Sequence, residues 1–228
     1  MLFNNGFAVS LGMVPSLTWL IFYLHKDKNP EPKYLVSRTF FMGIILAPIA
    51  AVLQLFFSQQ WEMSQTTFVL ISAFIEEVIK YSAVRFLILH NPEFDEPADA
   101  MIYMIVAGLG FAAIENTLVL FRAVEMGALV ASKILFFRFV GATLLHALSS
   151  GLVGYFLGLA WFYHRHSRKI IFLGIALASI FHFAFNIILV TVSGTQGFFY
   201  STILLVFSAL IISLLFKNLS NKTRKFNG

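Results

Sequence analysis

Several apolar stretches of this chain carry residues that can do chemistry. Glu76, Glu77 and Lys80 stand in the middle of TTFVLISAFIEEVIKYSAVRFLIL, Glu115 and Asn116 in GFAAIENTLVLF, His146 in TLLHALSSGLVGYFLG, and His182 and Asn186 in SIFHFAFNIIL. An ionised side chain at the centre of a membrane helix costs about 2.5 to 3.5 kcal/mol, so such groups face a bundle interior, pair with one another and mark function. The residue types suit hydrolysis by an activated water. Carboxylates in low-dielectric surroundings, with a lysine able to neutralise one of them, supply a general base. His182 and Asn186 are four residues apart on one helical face and can donate to the oxyanion that forms as a peptide carbonyl is attacked.

Other chemistries fit less well. Cysteine is absent, which excludes a thiol nucleophile, a thiolate metal site and disulfides. No Ser–His pairing is evident. A zinc protease using His146, His182 and a glutamate is the nearest alternative, with no HExxH pair to support it, so the expected cofactor set is empty. A proton- or cation-coupled transporter would also place Glu and Lys in a membrane, but neither an internal repeat nor paired broken helices are visible.

These residues must be positioned by membrane helices. The chain is 59% hydrophobic and 12% charged with mean hydropathy +0.83, against about 45 to 50% apolar and 25% charged in soluble domains. Runs of the roughly 20 residues needed to cross a bilayer occur near 7–24, 36–58, 67–89, 99–121, 141–163, 169–191 and 198–216. The expected fold is all-α, a polytopic bundle of about seven transmembrane helices forming one protease domain over residues 1–228. The stretch 128–163 is too long for one crossing. Its first part, about 128–140 with Lys133 and Arg138, is left to lie at the interface or re-enter before Gly141 begins the span.

At about 100° per residue, Glu77 falls roughly 100° and Lys80 roughly 40° from Glu76, in a sector shared with Ala73, Ala83 and Val84. The opposite face carries Phe74, Ile75, Val78, Ile79, Phe86 and Leu89. Glu115 shares a stripe with Gly108, Phe111 and Ala112, where a second backbone can approach closely. His146 and Asn116 read as supporting residues that hydrogen-bond between helices.

Basic residues set the topology. Lys26, Lys28 and Lys33 follow the first span, Arg165, Arg168 and Lys169 the fifth, and Lys217, Lys222, Arg224 and Lys225 the last, whereas the alternate loops carry little beyond Arg122 and Lys133. The positive-inside rule then places the N-terminus outside and a solvated basic tail, about 217–228, in the cytoplasm of a multi-pass cell-membrane protein. The polar layer falls in the outer half of the bilayer. The net charge of +5 is spread over these short loops, so no nucleic-acid partner is expected. Asp27, Glu31 and the prolines of NPEPK should fix a turn, and Asp99 should cap the fourth span.

The ordered polar elements resemble the PrsW intramembrane proteases. EEVIK is similar to their EExxK element, FAAIEN to FxxxEN and HFAFN to HxxxN; DKNPEPKYLV, FDEPADAMIYMIVAGLGFAAIEN and HALSSGLVGYFLGLA follow the same order, over about residues 15–190. That family is similar in turn to the CAAX-prenyl endopeptidase and bacteriocin-processing superfamily, with EExxxR, FxxxH and HxxxN/D helices. The resemblance implies Glu76 as general base, Glu77 as its orienter, Glu115 as a second water-positioning group, and His182 with Asn186 as oxyanion donors. Two positions depart from the superfamily pattern: Lys80 replaces an arginine one residue later, and Glu115 stands where a histidine is usual. The resemblance also implies a single-span membrane protein as substrate, such as an anti-sigma factor receiving its first extracytoplasmic cut.

Overall fold

The computed structural model describes residues 5–25 and 29–227. Lys26, Asp27 and Lys28 lie outside the described residues, as do the side chains of Arg224 and Lys225. The described residues form α-helices α1 (Asn5–Leu24), α2 (Lys33–Gln60), α3 (Gln65–Leu87), α4 (Asp99–Glu125), α5 (Ala128–Val140), α6 (Ala142–Phe162), α7 (Ser167–Thr191) and α8 (Gly194–Asn227), with a 3-10 turn at His164–His166 and no strand. Five segments among them are long and apolar enough to cross a membrane: Lys33–Gln60, Asp99–Glu125, Ala128–Phe162, His164–Thr191 and Gly194–Lys222. The polytopic helical bundle expected from the sequence is the fold observed.

Helix α4 is the axis of the bundle. Every residue from Pro97 to Ala113 is buried, and α1, α2 and α6 pack around it. Small residues set the spacing. A Cβ on Gly110 would collide with the Phe40 carbonyl of α2, and one on Gly108 with Ser150 and the His146 carbonyl of α6. Gly154 of α6 abuts Met101 in the same way. Such close backbone approach replaces the hydrophobic driving force that lipid removes. Outward-facing Phe86, Leu129, Leu214, Val52 and Phe172 remain exposed, as a lipid-facing surface requires.

The long stretch after α4 divides at Gly141, whose φ of −99° and ψ of −91° end α5. At about 1.5 Å per residue, the 13 residues of α5 are too short to cross a hydrocarbon core of about 30 Å. Thr143, in the first turn of α6, meets Asn116 of α4, while Ala131 of α5 packs with Leu120 and Ala123 near the end of α4. The start of α6 is therefore level with Glu115, and α5 packs beside the last turns of α4 as a short separate helix.

Two expectations are corrected. Asp99 is the first residue of α4, not its cap; its Oδ2 accepts the Asp95 and Glu96 amides at 3.1 and 2.9 Å and closes the preceding turn. The last helix does not stop at residue 216 but continues to Asn227. Leu219 is fully buried in the cluster of Met101, Leu148 and Ile212, so this part of the tail packs on the bundle instead of standing in solvent.

Helix α3 enters the bundle charged face inward. Ser64 caps it by accepting the Thr67 amide at 3.2 Å. Ala73, Glu77, Lys80, Ala83 and Val84 are buried, whereas Phe86 on the opposite face is exposed. The burial is tolerable because Lys80 Nζ lies 2.5 Å from Glu77 Oε1, with both side chains fully shielded. Lys80→Met should cost about 3 to 5 kcal/mol, since it leaves a buried carboxylate without its cation. The double variant Lys80→Met/Glu77→Gln should recover most of that loss, measured by thermal unfolding in detergent. A single variant as stable as the parent would show that the pair does not hold α3 in place.

Candidate active site

The polar residues of four separate helices meet at one point. On α3, Glu77 Oε1 receives Lys80 Nζ, the Ser149 hydroxyl of α6 at 2.9 Å and the ring Nδ1 of His182 on α7 at 2.9 Å. Since a carboxylate only accepts, His182 carries a proton on Nδ1. Its other nitrogen, Nε2, faces Glu76 Oε2 at 3.6 Å. Gln54 of α2 donates to the other Glu76 oxygen at 3.0 Å and fixes the carboxylate plane. Among the described residues neither Glu76 Oε2 nor Glu77 Oε2, both buried, has a hydrogen-bond partner.

A second arm runs through α4, α5 and α6. Glu115 Oε2 lies 2.9 Å from His146 Nε2 and 3.1 Å from Arg138 Nη2. His146 Nδ1 lies 3.2 Å from Lys80 Nζ, which links the two arms. An ammonium can only donate, so His146 Nδ1 is the acceptor and its Nε2–H donates to Glu115. The rings of His146 and His182 are perpendicular at 5.1 Å between centroids, and Phe111 closes one side, 5.5 Å from His146 and 5.4 Å from Lys80 Nζ.

Glu76, Glu77, Lys80, Glu115, Asn116, His146 and His182 are thus brought together. Asn186 is not part of this network: it is half-buried, and its side chain makes no hydrogen bond among the described residues. Asn116 takes a more specific place than a simple bridge, donating to Thr143 Oγ1 at 3.0 Å while accepting from Arg138 Nε at 2.5 Å. Ser149 lies beside both histidines, but its hydroxyl serves Glu77 and not an imidazole.

Arg138, Gln54 and Ser149 were not singled out by the sequence. For Arg138 a signal existed, because a guanidinium in ALVASKILFFRFV, just before the span containing His146, has few partners in lipid other than a buried acid. Uncharged Gln54 and Ser149 give no comparable signal.

One donor atom from each of Glu76, His146 and His182 lies within 4.8 Å of the others, and all three residues are buried. These are the residues that could gather around a metal ion. Five helices, α3 to α7, thus bring carboxylates, imidazoles and basic side chains together in a largely buried cluster, which suits hydrolysis within a membrane.

Comparison with known proteins agrees. The profile of the PrsW family intramembrane metalloproteases matches residues 31–213. The Protease PrsW of Oceanobacillus iheyensis is 32% identical over 187 residues, covering 79% of this chain and 82% of its own length. That of Bacillus subtilis is 30% identical over 190 residues, covering 81% and 84%, and that of Geobacillus kaustophilus 29% over 182 residues, covering 76% of each. No solved structure matches the chain. The chain is a multi-pass intramembrane protease and belongs to the PrsW family.

Proposed function

We propose that this protease cleaves a membrane-anchored substrate with a water activated by Glu76. The observation that carries the reading is the free oxygen of Glu76: Oε2 is buried, without a hydrogen-bond partner, and 3.6 Å from His182 Nε2. Gln54 orients the carboxylate through its other oxygen, so the free lone pairs are available to a substrate water. Glu77 also has an oxygen without a hydrogen bond among the described residues, but it is a poorer base because its Oε1 already receives three donors, one of them an ammonium. Its role is to orient His182.

Charge counting supports the same division of labour. Glu76, Glu77 and Glu115 face Lys80 and Arg138, so three carboxyl groups meet two basic side chains. One proton balances the set. Carried on His182, that proton makes Nε2 a donor to the oxyanion and leaves Glu76 as the base for water. After the tetrahedral intermediate forms, Glu76 returns the water's proton to the departing amine nitrogen. Glu115, fixed by Arg138 and His146, is the second group able to position water. Asn186 lies one turn beyond His182 and serves as an additional donor once substrate is present.

The family's description as metalloproteases calls for a test of the metal. The donor distances favour it, since Glu76, His146 and His182 gather within 4.8 Å. The hydrogen bonding of His146 does not. An Nε2 ligand must carry its proton on Nδ1, and that atom faces the Lys80 ammonium at 3.2 Å, donor against donor. Using Nδ1 instead would set the ion beside the same ammonium. The residues as arranged do not fit a three-ligand metal site, and metal-free water activation is the reading adopted; a metal held by Glu76, His146 and His182 is the second reading.

The substrate proposed is a single-span membrane protein, with an anti-sigma factor as the specific candidate. The placement of basic residues supports an external N-terminus, a cytoplasmic C-terminus and a site in the outer half of the bilayer. His146 in the first turns of α6, with Glu115 and His182 in the second halves of α4 and α7, is consistent with that depth.

Three measurements test this. Glu76→Gln should insert and fold yet lose nearly all cleavage of a single-span substrate, because the amide keeps volume but is not a base; near-normal turnover would reject the assignment. His182→Ala should slow cleavage by about a hundredfold or more, while active parent protein contains no stoichiometric zinc and resists chelators. Zinc lost together with activity on chelation, and restoring it on return, would establish the second reading. Tags at the N-terminus and between α2 and α3 should be accessible from outside and a C-terminal tag should not; the reverse pattern would move the site to the inner leaflet.

A further inference from the structure

Arg138 belongs to none of the motifs, yet it contacts two polar residues of α4 that face the site. Helix α5 is otherwise a surface element: of its residues only Ala131 is buried, and Leu129 is 70% exposed. Its preceding residue Gly127 has φ 110°, a conformation that favours glycine, and Gly141 separates it from α6. The helix is therefore an independent piece. Its C-terminal end is pinned on two sides, by the Trp19 indole N–H donating to the Phe139 carbonyl at 2.9 Å and by Phe137 packed edge-on against Phe198 at 4.7 Å. Arg138 lies between these anchors and turns inward.

The guanidinium is held in a defined pose. Asn116 is fully buried, and its amide donates to Thr143, which leaves the amide oxygen to accept Arg138 Nε at 2.5 Å. Nη2 of the same planar group then reaches Glu115 Oε2, the oxygen that also accepts from His146 Nε2. A planar fork with several fixed donors transmits orientation as well as charge. The chain Thr143, Asn116, Arg138, Glu115 and His146 is continuous and ends at the ring beside Lys80.

We propose that Arg138 is a positioning residue for peptide cleavage. Delivered by the short helix α5, it fixes the Glu115 carboxylate so that this group bears on His146 and on the water attacking the substrate. The inference rests on the proposed site, and it adds a residue that acts through Glu115 without touching substrate. Asn116 and Thr143 set the angle of the fork.

The test is a cycle of Arg138→Gln, Arg138→Lys, Glu115→Gln and Glu115→Gln/Arg138→Gln, assayed with a single-span substrate in proteoliposomes under excess enzyme, so that slow cleavage is followed to completion. Arg138→Gln should lower the maximal rate by about ten- to hundredfold with KM within about twofold of the parent. Arg138→Lys, which keeps the charge, should restore most of that rate. The loss should vanish in the Glu115→Gln background, because Arg138 has no other route to the chemistry. An Arg138→Gln rate like the parent's, a loss confined to KM, or an undiminished loss without Glu115 would each overturn the proposal. If Arg138→Gln does not fold as a monodisperse protein, the cycle is read from Arg138→Lys, whose smaller loss must likewise disappear with Glu115→Gln; the same loss in both backgrounds overturns it. Glu76→Gln run beside these separates the two levels: a dead Glu76→Gln with a normal Arg138→Gln removes only the role of Arg138, whereas an active Glu76→Gln removes the site itself.

Discussion

One carboxylate oxygen holds the polar cluster of this bundle together. Glu77 Oε1 accepts from Lys80 on its own helix, from Ser149 on α6 and from His182 on α7. In a hydrocarbon interior no water can substitute for any of these, so the three helices must stay in register for the charge to be tolerable. The Lys80 partner comes almost free from helix geometry, because residues three apart lie on one face. The other two donors do not, and they require close packing between α3, α6 and α7. Glycines of α4 and α6 then let α4 nest against α6 from behind, which carries Glu115 to within reach of His146.

Loading Glu77 Oε1 with three donors is what separates it from Glu76, although each glutamate keeps one oxygen without a hydrogen bond among the described residues. Adjacent residues on a helix point about 100° apart, so the two glutamates meet different surroundings although they are neighbours in sequence. Glu77 turns to the lysine and serine, Glu76 to the glutamine of α2 and the far side of the His182 ring. A pair of identical side chains thereby divides into a carboxylate loaded by an ammonium, a hydroxyl and an imidazole and one held by a single amide, with the His182 ring between them.

The elements that carry charge were legible in the sequence because charge in an apolar run has so few explanations. The inward face of α3, the convergence of Glu76, Glu115, His146 and His182, and the break at Gly141 all follow from that rule and from helix length. Groups whose cost is small left no such trace. Gln54 and Ser149 are common enough in membrane helices to pass unnoticed, and Arg138 near a helix end resembles an interfacial topology signal. Asn186 shows the opposite limit: sharing a face with His182 gives a direction, but four residues also displace it by a full turn, and the hydrogen-bond network ends before reaching it. The length of α8 was misjudged because a basic, polar tail looks solvated even when a single leucine, Leu219, packs it onto the bundle.

The carboxylate at position 115 adds a negative charge to a layer that already contains Glu76 and Glu77. Lys80 cannot answer it, since its ammonium is committed to Glu77 at 2.5 Å and reaches only the far nitrogen of His146. A second cation is needed, and no position on α3 or α4 facing this layer supplies one. Arg138 does, from a helix too short to cross the membrane and therefore free to bring its side chain down to the level of Glu115. With both cations in place, His146 is left neutral between an ammonium and a carboxylate, its tautomer fixed by that contrast. The short helix α5 is in this view an electrostatic component of the polar cluster, required by the glutamate that the neighbouring span carries.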